Sequence, residues 1–324
     1  MSSLHELLLT TKDSKNRREV ADSLNSDPNT FELLLEEVFQ ENETGYSEEK
    51  QLVLNLVDLL SDKLAIAVIT RALDDSDSKV QVKGLQATYR RQVDSLNEQI
   101  FKILANSDEE FEVRKWAVHV LGGTNPIGFG RFLRKVMKNH DDDVNLRKEA
   151  IFALTNTASD ETVGALCMLL GDSNIEIKRS AAWALAKISS SDSISCLLAA
   201  LEDTDEEVRD WSIRGLRDMD SSRALQGLAD AMTRSAPEEQ EQLIRLVVEK
   251  KSEIILRAIV ELLESPVVPV RRLAAWAMGV SPYPPAAGAL EKLMDDEDPQ
   301  TREYAKKALE RLGHVDPSDF GLIL

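Results

Sequence analysis

Apolar residues recur along this chain at the three-to-four spacing of amphipathic helices, in segments of about twelve residues separated by short polar turns. IAVITRAL (66–73), TVGALCMLL (162–170), ISCLLAAL (194–201) and AAGALEKLM (286–294) are such segments, here termed helix A. Each leads through a polar, acidic turn into a second helix, B. The start of B carries a recurring pattern of an apolar residue, a basic residue and, three positions later, a small one. It is seen in Val113, Arg114 and Ala117; Leu146, Arg147 and Ala150; Ile177, Lys178 and Ala181; Val208, Arg209 and Ser212; Val270, Arg271 and Ala274; and, with Thr301 first, Arg302 and Ala305.

The basic anchors lie 33, 31, 31, 62 and 31 residues apart, so the doubled gap predicts a degenerate unit anchored near Gln240. The same step taken backwards reaches Gln81, Lys50 and Arg18, and ten units then tile the chain. A period of about 31 residues accommodates two helices and two short turns. Four residues before six of the anchors stand Ser14, Asp77, Asp143, Asn174, Asp205 and Asp298, with Pro299 at the first helical position of its helix. These are the residue types that start helices, and they predict N-caps for helix B.

SAAWALAKI (180–188), LAAWAMGV (273–280) and DEDPQTREYAKKALERLG (296–313) resemble the HEAT-repeat family, in the short form found in phycobilisome-lyase-type proteins. The resemblance implies an all-α fold, an α-α superhelix of about ten two-helix repeats, extending as one solenoid over residues 1–313 with a C-terminal tail at 314–324. It also implies, as one functional alternative, a bilin lyase or isomerase subunit or a bilin-handling chaperone. The repeat pattern encodes packing, not chemistry. A long cation at the first turn of B can reach the acidic turn of a neighbouring unit while its stem packs in the stack, so the anchors are expected to be structural.

Three stretches break the pattern: QENETGYSEEK (40–50), GGTNPIGFG (122–130) and VSPYPP (280–285) are expected to lengthen or stiffen links. The unit around 236–251 lacks both the anchor and the small residue, which suggests a hinge or an irregular crossing. The tail, ending FGLIL, is expected to cap the last unit or to dock elsewhere.

Composition narrows function. A net charge of −18 over 324 residues argues against nucleic acid as a partner. The apolar run Leu7 to Leu9 is too short for a signal-peptide core and no run approaches a bilayer span, so a cytoplasmic protein without membrane association is expected. Cys167 and Cys196, on two predicted helices, are expected to be buried reduced thiols. The four histidines, His5, His119, His140 and His314, include no pair four residues apart, so no metal site is expected. GGTNPIGFGR lacks the Gly-Lys-Ser/Thr ending of a phosphate loop. No catalytic group and no cofactor are assigned.

The face of B turned away from A is more informative. At 100° per residue, positions +1, +5 and +8 from the anchor point outward and +2 lies on the flank. Over the last seven units, six of the 21 residues at +1, +2 and +5 are aromatic, and the set holds every tryptophan of the chain. Cations outnumber anions there, seven to four, in an acidic protein. The candidate binding residues are Lys115, Trp116, His119, Lys148, Phe152, Arg179, Trp183, Trp211, Arg214, Arg245, Arg272, Trp276 and Tyr304. Trp116 and Trp211 at +2 have a competing role as fillers between adjacent B helices. Aromatic and arginine side chains carry interface energy, so the function expected is a non-enzymatic scaffold or adaptor that clamps a protein or an acidic peptide on its concave face. A bilin-bearing protein is the other partner considered.

Overall fold

The computed structural model describes residues 8–39, 48–156 and 159–313, and among these every regular element is a helix. The chain divides into two compact units, Met1–Thr157 and Ala158–Leu324. The first contains α1 (Arg17–Ser26), α2 (Pro28–Val38), α3 (Glu48–Leu56), α4 (Asp62–Leu73), α5 (Ser78–Arg91), α6 (Asn97–Ala105), α7 (Phe111–Thr124), α8 (Phe129–Lys138) and α9 (Val144–Thr155). The second contains α10 (Asp160–Leu169), α11 (Ile175–Ile188), α12 (Ile194–Ala200), α13 (Glu206–Asp218), α14 (Ser222–Arg234), α15 (Pro237–Val247), α16 (Glu253–Leu262), α17 (Val268–Val280), α18 (Ala287–Lys292) and α19 (Pro299–Leu312).

Helices A and B alternate as the repeat predicts, and this is the all-α architecture of an α-solenoid. Odd-numbered helices are B and even-numbered ones are A in the first unit up to α9, and the order A then B continues from α10. Within each unit B helices pack on their A helices and on the next B helix, as in α5 on α7, α11 on α13 and α17 on α19. The apolar stripe and the small residue at +3 explain the fit. Gly84 in α5 takes that position, and a β-carbon there would sit 3.0 Å from Ala72 Cβ of α4. Backbones also approach closely further along α13, where a β-carbon on Gly215 would come within 2.9 Å of Ala186 Cα, so only glycine lets α13 lie against α11.

The N-caps form largely as the sequence predicts. Asp77, Asp143, Asn174, Asp205 and Asp298 each accept backbone N–H groups of the first turn of B. Ser14 does not: α1 starts three residues later, behind Asn16. In four turns a second acid stands two residues before the cap, at Asp75, Asp172, Asp203 and Asp296, and accepts the N–H of the capping residue at 2.8–2.9 Å. Where the cap is itself an Asp, at 75 and 77, 203 and 205, and 296 and 298, the turn from A to B is built on a carboxylate pair with separate tasks.

Lys50, Lys178 and Arg271 meet the first member of that pair in the following repeat. Lys50 lies 2.8 Å from Asp75, Lys178 2.5 Å from Asp203, and Arg271 forks onto Asp296 at 2.8 and 3.3 Å. Arg114 forks onto Asp142 at 2.5 and 3.0 Å, with both side chains only 8% exposed. Two anchors also close helix A of their own repeat: Arg114 Nε donates to Leu104 O at 3.2 Å and Arg147 Nε to Met137 O at 2.9 Å, both in the last turn of A. A cation at a helix C-terminus is favoured by the exposed carbonyls there. The anchors are thus structural parts of the stack.

Two expectations, the link at 122–130 and the cysteines, are corrected. The link at 122–130 is shorter than the sequence suggests, because α7 continues through Gly122 and Gly123 to Thr124 and ends on Asn125 in the left-handed region, at φ 44°. Cys167 and Cys196 are not buried thiols: they are half-buried and joined as a disulfide between helix A of one repeat and helix A of the next. The degenerate unit forms a helix pair, α14 and α15, with Gln240 buried at the anchor position. The C-terminal tail and its FGLIL ending, His5, His314 and most of the 40–50 stretch lie outside the described residues.

Candidate functional site

The candidate residues stand on B helices in both units, and none of the four tryptophans is fully buried. Only some of them come together. In the second unit, α15, α17 and α19 supply an open groove of about 500 Å³ lined by Glu241, Arg245, Pro269, Arg272, Leu273, Trp276, Gln300 and Tyr304. Four of the expected residues, Arg245, Arg272, Trp276 and Tyr304, therefore share one site. Their spacing explains it: +5 of one B helix and +2 of the next face the same cleft.

Charge in this groove is unequal in availability. Arg272 Nη1 donates to Gln300 at 2.6 Å, and its Nε lies 3.2 Å from the Asp298 cap without the alignment of a hydrogen bond. Hydrogen bonds from Thr301 hold the Asp298 carboxyl below the usual carboxylate range. Arg245 is different: its side chain is 61% exposed and meets Glu241 only at 3.8 Å. Arg245 is the cation most open to a ligand.

Elsewhere in the second unit the expected residues are engaged within the fold. Arg179 forks onto the next cap, Asp205, at 2.6 and 3.0 Å and reaches Glu207 at 3.1 Å. The hydrogen bond to Asp205 pushes the Arg179 pKa up, and the same bond holds the Asp205 carboxyl down. Trp211 packs with Leu170 against the buried cluster of Ala182, Ala200 and Val208, and Arg214 sits 6.0 Å from its ring. Trp211 thus fills the gap between repeats. Trp183 is half-buried and does not line the groove.

In the first unit, His119 and Phe152 line a separate depression of about 320 Å³. The His119 ring lies 4.6 Å from Tyr89 and edge-on to Trp116 at 5.4 Å. Lys115 points away from it, 3.5 Å from Glu112 and 5.8 Å from the Phe111 ring, and Lys148 does not line it. Tyr89 lies outside the seven units whose outward positions make up the expected face. It occupies +8 of the Gln81 repeat, an outward position in the same helical projection that located the others.

Residues 130–217 and 168–247 match the family model for HEAT repeats. Among solved structures, yeast importin-beta (Kap95p) is similar with a TM-score of 0.55 and 13% identity, over 97% of this chain and 51% of that one. Kap95p in its structure with RanGDP aligns with the same score and identity over 96% and 50%, and importin beta crystallised with ammonium sulfate aligns at 0.51 and 13% over 98% and 52%. The chain spans about half the length of these importin-beta chains. At this identity the likeness shows the fold. No curated protein sequence matches the chain. Among the described residues no cluster of three or more potential metal ligands occurs, and no helix is long and apolar enough to cross a membrane.

Proposed function

We propose that this chain is a non-enzymatic protein-binding scaffold that holds a partner on its B helices, with the groove of α15, α17 and α19 as the principal site. The groove itself carries this reading: Trp276, Tyr304 and Leu273 offer apolar and aromatic surface, and Arg245 stands exposed at its edge. Aromatic and arginine side chains in a concave setting are the usual anchors of protein interfaces. The partner that fits is a peptide or helix that seats an apolar side chain against Trp276 and presents a carboxylate to Arg245. HEAT solenoids commonly serve as interaction scaffolds, and Kap95p in the structure cited above binds Ran.

The test is affinity capture from the native organism with the wild type and the double variant Trp276→Ala, Tyr304→Ala, read by mass spectrometry. Partner recovery is expected to fall at least about tenfold, the equivalent of one lost hot spot, with helical content unchanged. Equal recovery by both proteins contradicts this placement of the site. A shift in the absorption of phycocyanobilin on mixing would favour the bilin alternative instead.

A further inference from the structure

We infer that the depression in the first unit is a second site, independent of the groove above, which accepts an arginine side chain of a partner polypeptide. Its walls are the exposed rings of Tyr89 and Phe152, 44% and 39% exposed, together with His119. Its floor is the last turn of α7, where Gly122 and Gly123 replace side chains with bare backbone. Glycine is unfavourable inside a helix by about 1 kcal/mol relative to alanine, and here two in succession keep the space beside the Tyr89 ring open. A β-carbon on Gly123 would already lie 3.2 Å from that ring.

Among the described residues Glu149 is the one carboxylate lining the depression, and no lysine or arginine lines it. Among the described residues Glu149 has no ion pair and no hydrogen bond. Arg90, next to Tyr89 in the sequence, is turned to Asp58 at 3.0 Å. An unpaired carboxylate between aromatic faces complements a cation, and guanidinium suits it best, because its planar fork can stack on a ring while donating two hydrogen bonds to one carboxylate. The polarity is opposite to that of the Arg245 edge in the second unit. A partner that used both sites would present an acid to one and an arginine to the other.

The experiment follows the methyl resonances of Val118 and Ala153, which line the depression, as the full chain is titrated with a short capped peptide containing one arginine. Its twins carry citrulline or lysine at that position. Saturable shifts are expected with the arginine peptide, with affinity about tenfold lower for citrulline and for the Glu149→Gln protein, the effect of losing one charge-assisted pair. Phe152→Ala is expected to weaken binding as well, and the Trp276→Ala, Tyr304→Ala protein to bind as the wild type does. No saturable shift with the arginine peptide, equal affinity for citrulline, or an unaffected Glu149→Gln protein overturns the inference. Equal binding of the lysine peptide overturns the assignment to guanidinium.

Discussion

Two repeats of the second unit carry the same anchor motif with different outcomes. Arg271 forks onto Asp296 of the following turn, reaches Glu297 at 3.4 Å and donates to Ser265 O at 2.8 Å. Arg209, in an equally regular motif, donates only to the carbonyls of Asp203 and Thr204 in its own turn, and its buried Nε has no partner. The reason lies one repeat later. Arg209 faces the degenerate unit, whose turn has Arg234 and Ala236 where others place an acid pair. A repeat motif is thus completed by its neighbour.

This contrast predicts the largest stability effects. Arg271→Ala leaves Asp296 buried without its partner and is expected to cost about 3–5 kcal/mol in chemical denaturation of the protein. Arg209→Ala removes only hydrogen bonds to backbone carbonyls and is expected to cost about 1 kcal/mol. Equal losses would show that the carboxylate fork contributes nothing beyond the packing of the arginine stem.

The tryptophans separate in the same way, with a smaller difference. Trp211→Ala opens a gap beside Ala182 and Ala200 and is expected to lower stability by about 2–3 kcal/mol, with partner capture reduced only in proportion to unfolding. Trp276→Ala, in an open groove, is expected to cost about 1 kcal/mol or less while capture is lost. A reversal of these two patterns would exchange their roles.

Acid titration sharpens the first contrast further. Burial alone would raise the Asp296 carboxyl, but the Arg271 hydrogen bond, the Asp298 N–H and the charge of Arg271 outweigh it and hold the group below its ordinary value of 3.8. A depressed carboxylate contributes stability that is present above its unfolded pKa and is lost as pH falls through the lower folded one. Stability measured from pH 5 downward is therefore expected to fall less steeply in Arg271→Gln than in the wild type. Parallel slopes would mean that this pair is not among the groups that set the acid response.

Much of this was legible in the sequence, because a spacing near 31 residues is imposed by the length of a helix pair and the anchor must recur wherever B meets the next turn. The acid pairs at 75 and 77, 203 and 205, and 296 and 298 follow the same logic. What periodicity could not supply was the use of each outward position. Trp211 and Tyr304 share position +2, yet one fills a gap and the other lines a groove, because the residues opposite them differ. Tyr89 stands at +8, beyond the +1, +2 and +5 positions that make up the expected face. The disulfide also had a signal: Cys167 and Cys196 are 29 residues apart, close to one repeat, which places them on neighbouring A helices.

The central claim, that the B-helix groove of the second unit and not the A-helix surface holds the partner, is tested most directly by hydrogen–deuterium exchange of the captured complex. The account predicts new protection in α17 and α19, around Trp276 and Tyr304, with α14 and α16 unchanged. Protection confined to α14 and α16 would contradict it.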